Sequence, residues 1–309
     1  MKKEISKNRS GLSLPGLFAG GGAFLVWGIL PCYWKTLQGV SAVEILCHRM
    51  FWSFVFAGVV LTVWGRWGEV FQALRRGQNI LFFLGTSCLL GVNWLTYIWG
   101  VNAGFVLDAS MGYYINPLVN VLLGFVFFRD RLRRFQVAAI LLAAVGVLNL
   151  VFSYGRFPWI ALTLAFSFGL YGLIRKLVRV ESLPGLCVEA MFMSVPALSF
   201  LVWLHISGQG AFGAGDGHID FLLAGAGAVT AVPLLLFAFC ARRLRLVEVG
   251  ILQYLAPTCM FLLGVFAFGE PFTSAHMITF ICIWTGIVIY TVESLLFTRR
   301  YVKVPESRK

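Results

Sequence analysis

Apolar residues run almost without interruption from residue 16 to residue 297, and short polar or basic stretches punctuate them at nearly even intervals. A helix needs roughly 20 mostly apolar residues to cross the hydrocarbon core. The pattern predicts ten such spans, at 16–37, 44–64, 79–101, 108–128, 134–153, 157–175, 184–205, 220–240, 246–268 and 273–297. Backbone groups in lipid must be satisfied within their own segment, so runs this long are helices rather than barrel strands. The fold class expected is therefore all-α integral membrane. The first run is too long for a signal peptide, contains Trp27, Tyr33 and Trp34, and lacks a small-residue cleavage site, so it stays as helix one.

The punctuation carries a direction. Of the 25 Lys and Arg, 22 fall in the N-terminus, alternate connections and the C-terminal tail, which lie on one side of the membrane. Only Arg156 lies on the other side, while Lys35 and Arg49 sit inside spans. Cytoplasmic loops hold such an excess of positive charge, so both termini are expected in the cytoplasm. The bias also supports the count of ten, since one missed or spurious helix would scramble it. The connections leave no room for a soluble domain, and the longest outer one, 206–219, is rich in Gly and reads as a flexible loop.

Composition narrows the function. Apolar residues make up 59% of the 309 and charged residues 12%, against about 25% charged in soluble domains. The net charge of +12 is spread over connections without a basic face interleaved with aromatics, so no nucleic-acid partner is expected. Seven scattered cysteines and four histidines show no metal-ligand spacing. The phosphate-binding G-x-x-x-x-G-K-[ST] loop is absent from the sequence. No cofactor and no metal are expected.

An internal repeat emerges when the chain is shifted by 140 residues. Tyr114-Ile-Asn-Pro117 then falls on Tyr254-Leu-Ala-Pro257, Leu122-Leu123-Gly124 on Leu262-Leu263-Gly264, Phe128 on Phe268 and Asp130 on Glu270. A shift of 145 places Glu44 on Glu189. With five helices per half, the second copy must enter from the opposite side, which makes an inverted repeat of the kind used for alternating access.

Ionisable and polar residues inside the spans are the candidates for chemistry. Helix two opens Glu44-Ile-Leu-Cys-His48-Arg49-Met-Phe-Trp52. At about 100° per residue, Glu44, His48, Trp52 and Arg49 fall within a sector of about 140°. A charge at the bilayer centre costs roughly 2.5 to 3.5 kcal/mol, so this sector should face protein or water. It serves either as a structural ion pair, Glu44 with Arg49 or Lys35, or as a contact for substrate or proton. Asn93, Thr96, Tyr97 and Gly100 make a polar face on helix three, and Tyr113, Asn116, Pro117, Asn120 and Gly124 do so on helix four. Gln253, Pro257 and Gly264 follow on helix nine by the repeat. These faces either knit helices together by hydrogen bonds and small-residue packing or line a shared cavity. Pro117 and Pro257 each remove a mid-helix hydrogen bond and offer a kink or hinge. Glu189 is the matching gate candidate in helix seven. The Gly20-Gly21-Gly22 run and the small residues 224–228 read as close helix contacts.

The residues Glu44 to Ser53, Asn93-Trp94 with Ile98-Trp99, and Gly112 to Asn120 resemble the RarD family of EamA-type permeases. So do Ala165 to Phe168, Tyr171-Gly172 with Arg175-Lys176, Val232 to Leu235, and Gln253-Tyr254 with Pro257-Thr258. The resemblance spans about residues 14–297. Asp108, where a Glu is the family's choice, and Arg129-Asp130, in place of Gly-Glu, are its departures, both at helix ends. It implies a member of the drug/metabolite transporter superfamily with ten helices in two inverted EamA repeats, here residues 16–153 and 157–297, flanked by cytoplasmic tails 1–15 and 298–309. It further implies a bacterial inner-membrane exporter of small organic molecules such as amphenicol-like or amino-acid-like compounds. Its partners would be substrate and membrane lipids, with a homodimer compatible with the pattern. No enzymatic activity is expected. The rivals are a polytopic enzyme acting on lipid-linked substrates, which needs a carboxylate or His cluster at one interface, and a passive channel.

Overall fold

The computed structural model describes residues 13–128, 133–154, 157–178, 180–244, 249 and 252–302. Ser13 starts the first helix, α1 (Leu14–Thr36), by accepting a hydrogen bond on its hydroxyl from Gly16 N at 3.3 Å, with Pro15 in the first turn. There follow α2 (Ala42–Val63), α3 (Trp67–Arg75), α4 (Gly77–Asn102), α5 (Val106–Phe128), α6 (Arg134–Tyr154) and α7 (Trp159–Val178). The chain continues through α8 (Ser182–Ile206), α9 (Gly217–Arg243), α10 (Leu255–Leu262), a π-helical turn at Leu263–Ala267, and α11 (Ser274–Val302). Every regular element among the described residues is helical.

Seven of these helices are long and apolar enough to cross a membrane. Arg134–Asn149, Trp159–Arg175 and Leu255–Ala267 are apolar but shorter. Large apolar side chains such as Phe18, Leu81, Phe152, Val195 and Phe221 are exposed along them, as expected of surfaces that meet lipid rather than water.

Small residues set the helix crossings. A Cβ on Gly227 of α9 would lie 2.3 Å from the carbonyl oxygen of Trp52 in α2, and one on Gly112 of α5 would lie 2.7 Å from the Ala161 carbonyl in α7. Gly28 brings α1 against Ala256 and Cys259 of α10, and Gly286 brings α11 against Ala139 of α6. In lipid, association rests on this packing, because apolar burial alone drives little. Gly20 makes such a contact with Cys240, whereas Gly21 meets nothing within 4 Å. The helix pairs in contact include α2 with α8, α6 with α11, α5 with α7, α1 with α10, α1 with α9, α4 with α7, α2 with α9, α4 with α8 and α5 with α10.

Three expectations need correction. The connection 65–79 contains the short helix α3, which buries Val70 and Ala73, ends on Arg75 and is flanked by Arg66 and Arg76. At 9 residues it cannot span, but one apolar side and basic flanks suit an interfacial helix. Span nine is not continuous: the helical bond from Gln253 N to Val249 O is present, but the chain turns at Gln253–Tyr254 before α10 begins. Pro257, expected in mid-helix, stands in the first turn of α10. Its ring offers no N–H to the carbonyl four residues back, that of Gln253, where the break falls. Residues 246–248 and 250–251 of that span, Arg156, and Asp130 of the repeat match lie outside the described residues.

The connection 206–219, expected to be flexible, is shorter, 207–216 between α8 and α9, and is folded. Gly208, Gly213 and Gly215 take φ of 65°, 79° and 103°, a region open mainly to glycine. Gly213 N donates to the Asp220 carboxylate at 2.7 Å, and Asp216 caps α9 through His218 N and Ile219 N. The glycines here shape turns rather than loosen the chain.

Candidate functional site

Arg49 of α2 is 5% exposed and lies where α1, α2, α4, α5 and α9 converge. Its Nε donates to the Thr230 hydroxyl of α9 at 2.9 Å. Its guanidinium lies 4.0 Å from the ring centre of Trp94 (α4) and 5.1 Å from that of Trp34 (α1). Tyr97 of α4 and Tyr113 of α5 are its electrostatic neighbours, and their rings meet edge to face at 5.8 Å. Nη1 of Arg49 and the Tyr97 hydroxyl are buried without a hydrogen-bond partner. A desolvated cation–π contact contributes about 2 kcal/mol, which does not offset the several kcal/mol of burying a charge without a counter-ion. This buried cluster therefore favours an incoming acceptor, and a planar guanidinium fork suits a carboxylate or carbonyl.

Glu44 does not neutralise this charge. Its Oε1 accepts from Ala211 N at 2.7 Å and Phe212 N at 3.4 Å, so it holds the folded 207–216 connection over the end of α2. The Phe212 ring lies against His48 at 4.9 Å, whose two ring nitrogens are buried without partners. Lys35 rests over Phe268 at 4.6 Å. Both sequence-level ion pairs for Glu44 are thus replaced by backbone donors.

At the same end, the Glu270 carboxylate accepts from Val106 N at 2.7 Å and Leu107 N at 2.8 Å, capping α5. Burial pushes this carboxyl above the ordinary range, while the two amides and Lys35 pull it down. A pocket of about 90 Å³ opens beside it, bordered by Asp108, Trp159 and His276. Arg49 is not on its walls.

The other predicted residues divide by neighbour. Asn93 points to α7, donating to the Leu164 carbonyl at 3.1 Å and the Ser167 hydroxyl at 2.9 Å, which is helix knitting. Asn120 donates to Asn116 Oδ1 at 2.8 Å along α5 and lies beside Gly169 of α7. The Trp52 backbone packs on Gly227, and its indole nitrogen is unpartnered. Gln253 sits half-buried at the break before α10. The Pro257 carbonyl accepts from Ser110 of α5 at 2.8 Å, and Thr258 bonds Tyr114 at 2.7 Å. Pro117 lies inside α5. Glu189 of α8 is 0% exposed and stands with Tyr171 and Arg175 of α7, away from Arg49. The structure brings together Arg49, Tyr97 and Tyr113. It adds Trp34, Trp94 and Thr230, none of which the sequence marked as a site residue, although Trp94 lies one position off the polar face at Asn93.

The description "EamA-like transporter family" matches residues 14–152 and again 158–292. The chain is 46% identical to the "Uncharacterized transporter YojE" of Bacillus subtilis over 90% of its own length and 93% of the relative's. To the "Protein RarD" of Escherichia coli it is 41% identical over 91% and 95%. The "Chloramphenicol-sensitive protein RarD" of Pseudomonas aeruginosa is 28% identical over 94% and 98%. A solved crystal structure 19% identical superposes with a TM-score of 0.57 over 90% of this chain and 97% of that one, a likeness of fold. With both halves matched and the relatives covered nearly end to end, the chain belongs to the EamA-like transporter family, among its RarD members.

Proposed function

We propose that this protein is a permease that moves small organic molecules outward across a bacterial inner membrane by alternating access. In this reading ten helices form two inverted halves, residues 16–153 and 157–297, with tails 1–15 and 298–309 in the cytoplasm. The halves exchange spanning helix i with spanning helix i+5, the short α3 left out of the count, so that α1, α2, α4, α5 and α6 answer to α7, α8, α9, α10 and α11. That exchange turns α5–α7 into α10–α1, α1–α9 into α7–α4 and α2–α9 into α8–α4, and returns α2–α8 and α6–α11 to themselves, so the packing pattern supports a two-fold relation. The double family match supports it too.

The observation that carries the reading is the buried Arg49 with its unpartnered Nη1 among aromatic side chains where five helices meet. Arg49 would hold a substrate carboxylate or carbonyl, with Tyr97, Tyr113 and the Trp rings beside its apolar part. Gln253 with Pro257, and Pro117, would let α10 and α5 bend around it. The relative named for chloramphenicol sensitivity makes amphenicols a sensible part of the screen. Purified protein is to be challenged with amino acids and amphenicols while its thermal unfolding is followed, since a ligand stabilises the state it binds. A binder should stabilise the native chain and not a folded Arg49→Lys variant. Equal stabilisation of both would remove Arg49 from the site.

A further inference from the structure

Glu189 is the most deeply buried carboxylate among the described residues, 0% exposed, and its bonding is incomplete. Oε2 accepts from the Tyr171 hydroxyl at 3.3 Å. Oε1 has no hydrogen bond and lies 3.7 Å from Arg175 Nε. Arg175 in turn donates through Nη2 to the carbonyls of Val180 and Glu181 at 3.3 and 3.2 Å, rests over the Phe83 ring at 5.7 Å, and leaves Nη1 without a partner. Gly185, one turn before Glu189 on α8, makes room for that guanidinium, since a Cβ there would lie 2.1 Å from Nη1. A carboxylate and a guanidinium thus face each other, each with an unused position.

Among the described residues, Arg175 is the one charged side chain in contact with Glu189. Thr86 and Ser87 of α4 face Glu189, and Ser87 donates to its backbone carbonyl at 3.2 Å. Arg66, at the start of α3, is held by Glu69 and Glu181 at 2.6 and 2.7 Å. Glu44, the repeat partner of Glu189, is by contrast held by two backbone amides. A buried charge with fixed donors stays as it is, whereas one balanced by a single movable side chain changes state when that side chain moves.

We propose that Glu189 is a proton-exchange site that couples substrate movement to proton movement, the proton replacing Arg175 as the partner of Oε1. The proposal rests on the alternating-access reading. One proton from water adds to Oε1 and neutralises the carboxylate. The Arg175 charge stays on the Val180 and Glu181 carbonyls and the Phe83 ring. In the return step the proton leaves to water and the pair re-forms.

The test uses the full-length protein in phosphatidylethanolamine–phosphatidylglycerol vesicles on a solid-supported membrane, with a pH step as the only stimulus. The native protein should give a transient charge displacement, Glu189→Gln should lose it, and Glu44→Gln should keep it. An undiminished displacement in Glu189→Gln, or none in the native protein, overturns the proposal. If Glu189→Gln does not fold, Arg175→Gln decides: it should keep the displacement but move its pH midpoint, and an unmoved midpoint contradicts the pairing. Exchange of chloramphenicol or phenylalanine without a pH gradient is measured in parallel. Its absence from the native protein would count against the transport reading and leave the substrate-free proton result standing.

Discussion

Arg49 and Glu44 lie five positions apart on α2, yet they answer to different neighbours: a hydroxyl and aromatic rings for one, loop amides for the other. Removing the Glu44 charge should cost roughly 1 to 2 kcal/mol through the loop, and the effect should add to that of Arg49→Gln within about 0.5 kcal/mol. Thermal or denaturant unfolding of the two single variants and the double variant measures this. A double variant more stable than Arg49→Gln alone would mean that the two are paired after all. Asn93→Ala should lower stability by about 1 kcal/mol, through two lost interhelical bonds, without altering ligand affinity. A stable Asn93→Ala protein with weakened binding would return Asn93 to the site. The polar positions themselves were legible from helical spacing. Their partners were not, because Trp34, Trp94 and Thr230 reach Arg49 from three other helices and no spacing along α2 encodes them.

Among the elements, the α2–α9 crossing depends most narrowly on one position. Gly227→Ala places a methyl 2.3 Å from the Trp52 backbone carbonyl, an atom that cannot swing aside, and should destabilise by about 1 to 3 kcal/mol. Gly21→Ala, with nothing within 4 Å, should be neutral or gain up to about 1 kcal/mol from helix propensity. Melting temperatures of the two variants in one detergent compare them directly, and equal values would contradict the crossing. Long apolar runs made the membrane helices readable. The sequence misled where composition has two physical readings: glycine in 207–216 serves positive φ rather than flexibility, and the proline of span nine opens the chain four residues upstream. The helix α3 was missed because 9 residues fall below any spanning length.

For the whole molecule, the exchange pattern of helix contacts and the distribution of charge address the same architecture from independent directions. A cytoplasm-active reporter fused after residue 9 or after residue 300 should be active, and one within 206–219 should be silent, given that the ten-span reading puts 22 of the 25 Lys and Arg on the opposite side from that connection. Activity in that connection would overturn the ten-helix topology. The measurement closest to the central claim is counterflow by the purified full-length chain. Vesicles preloaded with an unlabelled amino acid or amphenicol are offered a trace of the labelled compound outside. An alternating-access carrier with Arg49 in its binding site should accumulate label transiently above its equilibrium level for at least one compound, and a folded Arg49→Lys variant should not. Flux in the native protein that only relaxes to equilibrium would identify a channel, and an overshoot undiminished in Arg49→Lys would take the substrate elsewhere.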